Sequence, residues 1–166
     1  MTPRTFAKIS FTIWMTMTGG IPCQAQRVLV VVRHADKIDN SHDAALSPAG
    51  ELQAKRLAHV LKDAGITAIY TTQFKRTAQT ARPLAELLKI APFVYEQQDV
   101  TGVVKEIQRK HPGGAVMVVG HRSTVPRILK QFGSRTEVAL GSGEYDSLFI
   151  MNLSQGRPPT LLHLRF

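Results

Sequence analysis

An unbroken aliphatic run, residues 28–32, ends directly in Arg33 and His34. A continuous run of this kind, rich in β-branched valine, is typical of a strand buried on both faces, as in a parallel sheet covered by helices. A second apolar run, residues 115–120, also ends in a histidine, His121. The two runs predict an α/β fold in which two central strands end in ionisable side chains.

Helical and strand patterns alternate through the rest of the chain. Ser47 and Pro48 predict an N-cap followed by proline at the first helical position, and Gly65 marks the end of that helix. Pro83 lies inside a second helical pattern and marks either a kink or the true start of that helix. Further strands are expected over 68–71, 92–95, 147–153 and 160–166, and further helices over 75–88, 100–110 and 124–132. Strands that alternate with helices predict a three-layer α/β/α sandwich around a mainly parallel central sheet.

The first 25 residues have a different pattern. Arg4 and Lys8 precede an uncharged stretch, residues 9–21, and Cys-Gln-Ala at 23–25 offers small residues before a cleavage site. This order is typical of a secretory signal peptide, and the alternative is an N-terminal helix that belongs to the fold. We therefore expect a signal peptide over 1–25, cleaved near Ala25, and one exported domain, periplasmic or secreted, over 26–166. Cleavage removes the chain's single cysteine, so the exported form has no intrachain disulfide.

The chain is basic, with a formal net charge of +9, of which the leader contributes two charges. Its 43% hydrophobic content excludes wholesale disorder, and no stretch of 18 or more apolar residues predicts a membrane-spanning helix. After the leader there is no tryptophan and no basic stripe interleaved with aromatic residues, which argues against nucleic-acid binding. The excess of positive charge favours small anionic substrates.

Ionisable residues follow four of the expected strands. Arg33 and His34 follow the first, Arg76 lies just past the second, Glu96 follows the third, and His121 follows the fourth. Because ligands of open parallel sheets bind beyond the carboxyl ends of the strands, these side chains are expected to meet at one edge of the sheet.

Such a cluster suits a phosphate monoester. Arginine presents a rigid fork of donors that matches phosphate oxygens, and a neutral imidazole can attack phosphorus and carry the phosphoryl group. A protonated carboxyl group can donate to the departing oxygen and later activate water. Cationic side chains stabilise the transferring group, so this chemistry requires no metal and no cofactor. The other histidines of the chain show no metal-ligand spacing.

The segments that carry these residues resemble motifs of the histidine phosphatase superfamily, which has the phosphoglycerate mutase-like fold. Val-Val-Arg-His-Ala at 31–35 is similar to its Arg-His-Gly signature, and Leu-Ser-Pro-Ala-Gly at 46–50 to the turn before its first helix. Arg-Thr-Ala-Gln-Thr-Ala at 76–81 resembles its second arginine segment, and Val-Gly-His at 119–121 its second histidine. Glu-Tyr-Asp at 144–146 recurs in small exported members.

The resemblance implies that His34 is the phosphorylated nucleophile and that Arg33, Arg76 and His121 bind the phosphoryl group. The family's proton donor follows the third strand, which points to Glu96, with Asp99 as the alternative. The implied activity is that of a metal-independent phosphomonoesterase of the histidine acid-phosphatase type, acting on a small phosphorylated substrate. The long insertions of the mutases are missing.

Two positions depart from the family's pattern: Ala35 replaces a glycine, and Arg122 follows the second histidine where small or amide residues are common. Lys37 is common in the small members of the family and has no assigned role. Two other functions stay open. One is a phosphate-binding protein without turnover, and the other is a phosphohistidine protein phosphatase that works without a clear proton donor.

Overall fold

The computed structural model describes residues 27–154 and 156–166, so the predicted signal peptide lies outside the described residues. The strands are β1 (Arg27–Arg33), β2 (Ile66–Thr72), β3 (Phe93–Tyr95), β4 (Gly114–Gly120), β5 (Ser147–Leu153) and β6 (Thr160–Arg165). The helices are α1 (Pro48–Leu61), α2 (Lys75–Leu88), α3 (Val100–Lys110) and α4 (Val125–Gln131). Every strand and helix expected from the sequence is present. No helix in the described ranges is long and apolar enough to cross a membrane.

One six-stranded sheet runs through the molecule in the order β3-β2-β4-β1-β5-β6. The pairs β1–β4, β2–β4 and β2–β3 are parallel, whereas β5 pairs antiparallel with both β1 and β6. Only β5 therefore runs against the other strands, and the expectation of a mainly parallel sheet is confirmed. The carboxyl ends of β2, β4 and β1 lie side by side at one edge of the sheet.

Helices cover both faces of the sheet. Val30 and Val32 of β1 pack with Leu57 of α1 and Leu84 of α2, and all four side chains are at most 1% exposed. Leu29 and Val31, which point to the opposite face, pack with residues of α3 and α4. The alternation of side chains along a strand explains why an unbroken aliphatic run was needed. The three-layer arrangement is confirmed.

The helix boundaries follow from local hydrogen bonds. Ser47 Oγ accepts a bond of 3.0 Å from the Gly50 amide and so caps α1. Gly50 has no side chain because a Cβ atom there would overlap the Asp36 carbonyl oxygen. In α2 the helix begins at Lys75 and continues through Pro83. The alternative in which Pro83 starts that helix is therefore wrong.

Candidate active site

The two histidines that end β1 and β4 lie together. Their ring centroids are 5.2 Å apart, and both side chains are at least 95% buried. The parallel register places Arg33 beside Gly120, and the His34 amide continues the ladder by donating to the Gly120 carbonyl at 2.9 Å. Strand pairing, rather than loop packing, therefore fixes the distance between His34 and His121.

The proton on His34 is placed by the backbone. Nδ1 lies 2.8 Å from the Ala35 carbonyl oxygen. A carbonyl oxygen only accepts hydrogen bonds, so Nδ1 carries the hydrogen and Nε2 of the neutral ring keeps its lone pair. The ring thus has a nucleophilic nitrogen whose orientation is set by a main-chain contact.

Burial keeps both rings neutral. Loss of hydration first, and then the positive charges of Arg33 and Arg76, lower the pKa of His34 to about 4. Burial first, then the neighbouring His34 and the charges of Arg76 and Arg33, lower the pKa of His121 to about 3. At neutral pH the free protein therefore holds two neutral imidazoles, each with one N–H group, among cationic side chains.

A chain of hydroxyl groups orients His121. Its Nε2 lies 3.0 Å from Thr72 Oγ1, which in turn lies 2.9 Å from Thr77 Oγ1. Thr77 donates to the Phe74 carbonyl oxygen at 2.8 Å. Because each hydroxyl has one proton, the direction of donation runs from His121 Nε2 through Thr72 to Thr77. Nδ1 of His121 is left with a lone pair.

Arg76 reaches the same point from the start of α2. Its Nη2 lies 3.5 Å from His121 Nδ1, and its Nη1 donates to the His42 carbonyl oxygen at 2.8 Å. The guanidinium carbon lies 4.3 Å from the centroid of the Phe74 ring, which is a cation–π contact. The His42 carbonyl group and the Phe74 ring therefore hold the Arg76 guanidinium in place, and its Nη2 is directed toward His121.

Arg33 is anchored by a distant loop. Its Nη1 donates to the carbonyl oxygens of Gly141, Ser142 and Glu144 at 2.9, 2.9 and 3.0 Å. The guanidinium carbon lies 3.9 Å from the centroid of the Tyr145 ring. Burial lowers the pKa of Arg33, but an arginine stays protonated at any ordinary pH. The structure thus brings four predicted residues into one cationic cluster: Arg33, His34 and His121, which are buried, and Arg76, which is half-buried.

A family model for the histidine phosphatase superfamily, branch 1, matches residues 29–99, which include the first histidine and both arginines of the cluster. Over these 71 of its 166 residues the chain is similar to the histidine phosphatase superfamily. The family match ends before β4 and so does not include His121. It is the tertiary structure that shows His121 beside His34. No curated protein sequence matches the chain significantly.

Solved histidine phosphatase structures share the fold. A mycobacterial glucosyl-3-phosphoglycerate phosphatase superposes with a TM-score of 0.67 at 15% identity, over 82% of this chain and 97% of that one. The protein histidine phosphatase SixA, complexed with tungstate, gives 0.67 at 17% identity, over 83% and 96% of the two chains. A phosphoserine phosphatase from Entamoeba histolytica gives 0.62 at 14% identity, over 81% and 94%. Identities this low establish the common fold alone.

The two candidate proton donors lie in different surroundings. Asp99 caps α3, because its Oδ1 accepts from the Gly102 amide at 2.8 Å. Glu96 follows β3 and is exposed. Among residues 27–154 and 156–166, its carboxyl group has no hydrogen-bond or ion-pair partner, including the two histidines. The geometry thus gives Asp99 a structural role and leaves Glu96 free at the edge of the sheet.

The backbone at position 35 accepts alanine in place of the glycine of the histidine phosphatase signature. Its side chain is buried against Leu46 and Ala54, and its backbone is not among the described positions with positive φ. The methyl group therefore replaces the usual glycine without strain. Lys37 Nζ donates to Asn40 Oδ1 at 2.9 Å, and Arg122 is exposed.

Two residues of the site were missed by sequence reasoning. Thr72 contacts His121, and the Tyr145 ring lies over Arg33 with its centroid 5.8 Å from that of His34. Thr72 is the last residue of β2, so the same strand-end rule that selected Arg33 would have found it. Tyr145 lies in a recognised motif, but nothing in that motif reveals what the ring contacts.

Within the described part of the chain, no three His, Cys, Asp or Glu side chains lie close enough together to hold a metal ion.

Proposed function

We propose that this protein is a histidine phosphatase that hydrolyses phosphate monoesters through a phosphohistidine on His34. One observation carries the proposal: a buried imidazole, kept neutral and oriented by the Ala35 carbonyl, has its free nitrogen beside two arginines and a second histidine. A nucleophile with this orientation splits one difficult displacement into two easier ones.

Substrate binding uses the cationic cluster. A phosphomonoester dianion accepts hydrogen bonds from Arg33 and Arg76, which neutralises its charge in a buried site where such bonds are strong. The dianion also raises the pKa of His121, since a nearby negative charge favours the protonated ring. Nδ1 of His121, which holds only a lone pair in the free protein, then donates to a phosphoryl oxygen.

Phosphoryl transfer proceeds from Nε2 of His34. The lone pair forms a bond to phosphorus as the bond between phosphorus and the leaving oxygen breaks, and the leaving oxygen takes a proton. Arg33 and Arg76 stabilise the charge on the three equatorial oxygens. Water then attacks phosphorus, the phosphorus–nitrogen bond breaks, and inorganic phosphate leaves His34 neutral again.

Glu96 is the proposed proton donor. It follows β3, whose neighbour β2 ends in the His121 partner Thr72, and its carboxyl group has no other task among the described residues. In the first step the protonated carboxyl group donates to the leaving oxygen, and in the second the carboxylate takes a proton from water.

A second candidate is a phosphohistidine protein phosphatase. It is favoured by the exposed position of Glu96 and the capping role of Asp99, which leave no carboxyl group in contact with the histidines in the described ranges. A phosphohistidine leaving group needs less help from a positioned acid than an alkoxide does. The similar fold of SixA, which is named a protein histidine phosphatase, is consistent with this alternative.

The proposal includes export of the domain. It rests on the sequence pattern of residues 1–25 and on cleavage near Ala25. Mass determination of the N-terminus of the protein recovered from its producing cell tests it, and an intact leader on the accumulated protein contradicts it.

The catalytic proposal is tested by turnover and by trapping. The purified protein should release phosphate from p-nitrophenyl phosphate in the presence of a chelator, whereas His34→Ala should lose activity and His59→Ala, an exposed position on α1, should keep it. Acid-labile, base-stable phosphate should be trapped on the parent and be missing from His34→Ala. Full activity of His34→Ala contradicts the mechanism.

A further inference from the structure

The segment Gly141–Tyr145 encloses one end of the Arg33 guanidinium. Three carbonyl oxygens of this segment accept hydrogen bonds from the same nitrogen, Nη1, and the Tyr145 ring packs against the guanidinium plane. Arg33 is 6% exposed, so these contacts form away from water. Arg33 and this segment are more than 100 residues apart in sequence.

The carboxylate of Glu144 closes the segment. Its Oε2 accepts from the Gly141 amide at 3.0 Å, and its Oε1 accepts from Ser147 Oγ at 2.6 Å and from Arg165 Nη2 at 2.8 Å. The hydrogen bonds from Ser147 and Gly141, followed by the charge of Arg165, lower the pKa of Glu144 to about 2. The carboxylate therefore stays ionised at every pH at which a phosphatase assay is run.

The contacts of Nη1 decide which edge of Arg33 remains for a ligand. Nε is buried without a partner, and Nη2 makes no hydrogen bond to any residue the structure describes. Nε and Nη2 form one edge of the guanidinium, which is the fork that matches two oxygens of a phosphate. A phosphoryl group that binds this edge satisfies a buried donor that otherwise has no partner.

The partners of Nη1 are neutral. Carbonyl oxygens hold the guanidinium in place without cancelling its charge, whereas a carboxylate in direct contact would compete with the substrate. The Glu144 carboxylate accepts hydrogen bonds from Arg165, Ser147 and the Gly141 amide. Only the backbone carbonyl group of Glu144 contacts Arg33. The loop thus supplies orientation while Arg33 supplies the charge.

We infer that Glu144 is a positioning residue for phosphoryl binding: its carboxylate closes the 141–145 segment, whose carbonyl groups turn the Nε–Nη2 edge of Arg33 toward the phosphoryl group. The inference deepens the proposed function and rests on it. The segment carries two glycines, Gly141 and Gly143, so it is costly to order without the hydrogen bonds of Glu144.

Asp146 provides the matched control. Its Oδ1 accepts from Arg165 Nη1 at 2.6 Å, so it shares the arginine partner of Glu144, but its carboxylate makes no hydrogen bond to the described 141–145 segment. In Glu144→Ala, the affinity for inorganic phosphate, measured by calorimetric titration, should fall about 10- to 100-fold, because one oriented charge-assisted fork is lost. Asp146→Ala should stay within about twofold of the parent. Glu144→Gln, which keeps one acceptor oxygen, should lie between parent and Glu144→Ala.

A double-mutant cycle separates positioning from general damage. Arg33→Lys keeps the charge but lacks the fork, so Glu144→Ala should weaken phosphate binding in that background by less than about twofold. Equal losses in both backgrounds, or equal affinity of Glu144→Ala and Asp146→Ala, would overturn the inference. Should Glu144→Ala fail to fold, parental affinity in Glu144→Gln would overturn it as well.

The two proposals fail in distinguishable ways. Phosphate titration does not depend on turnover, so a parent that binds phosphate through Glu144 and Arg33 but hydrolyses no monoester contradicts the proposed function alone. A parent with turnover whose Glu144 variants bind phosphate as the parent does contradicts the positioning role alone. In an active parent, Glu144→Ala should raise KM at least as much as it lowers kcat, since the fork acts on the bound phosphoryl group.

Discussion

The two halves of the active site are held by different kinds of contact. At the end of β1, His34 and Arg33 are oriented by backbone carbonyl groups, those of Ala35 and the 141–144 segment. At the ends of β2 and β4, His121 is oriented by the hydroxyl of Thr72, and Arg76 by the ring of Phe74 together with the His42 carbonyl group. Main-chain partners persist when neighbouring side chains change, so the first half should depend mainly on Glu144, whose carboxylate closes the 141–145 segment, whereas the second half should depend on each side chain that orients it.

The largest expected difference separates the two histidines themselves. His34→Ala removes the nucleophile and should lower kcat by about 10⁴-fold or more. His121→Ala removes one donor to the phosphoryl group and should lower kcat by about 10²- to 10³-fold. Steady-state kinetics with p-nitrophenyl phosphate measure both. Similar losses for the two variants would show that the halves contribute equally and would contradict the assignment of His34 alone as nucleophile.

The lowered pKa values of the two buried histidines should make the free energy of unfolding depend on pH. The unfolded chain protonates its histidines near their ordinary pKa of about 6.5, whereas the folded pKa values are lowered to about 4 for His34 and about 3 for His121. Between these limits the unfolded state binds more protons, so the free energy of unfolding falls as the pH falls from about 6.5 to about 4. We expect a loss of about 2 kcal/mol for each ring.

Denaturant unfolding of the protein at a series of pH values measures this slope. His34→Asn and His121→Asn should each flatten it, because each removes one buried group that titrates. A slope that is unchanged in both variants would show that the rings are not held neutral in the fold.

Adjacent threonines test the claim that the second half depends on side-chain contacts. Thr72→Val deletes the acceptor for His121 Nε2 at nearly constant shape and should lower kcat/KM about 10-fold. Thr71→Val is the control, because Thr71 Oγ1 is buried with no hydrogen-bond partner among the described residues. It should leave kcat/KM unchanged and raise the free energy of unfolding, since an unsatisfied hydroxyl is removed. Equal kinetic effects at both positions would contradict the orienting role of Thr72.

The smallest expected effect lies far from both halves, at the end of α2. Lys89 has a φ of 56°, in the left-handed region where glycine is favoured. Lys89→Gly should therefore raise the free energy of unfolding by about 1 kcal/mol without changing activity. Lys62→Gly, at the end of α1 where φ is −55°, should lower it instead. Chemical denaturation of the two variants measures the difference, and the same sign at both positions would contradict the backbone explanation.

The sequence predicted the elements of the fold because their signals are local. The aliphatic run of β1, the Ser47 cap and the Asp99 cap each depend on residues within a few positions of one another. Strand ends of a parallel sheet share one edge, so four site residues could also be named from the sequence, and the structure brings these four together. Thr72 obeys the same rule, and a stricter use of it would have included that residue.

What the tertiary structure alone decided are contacts between segments far apart in the chain. The partners of Arg33 lie 108 to 111 residues away, and the Thr72–His121 contact spans 49 residues. Composition and periodicity carry no information about which carbonyl group meets which guanidinium, because that meeting depends on the path of every element between them. The periodicity of the sequence determined the sheet and the edge at which the reactive side chains lie. Close packing of segments far apart in the chain determined how those side chains are oriented.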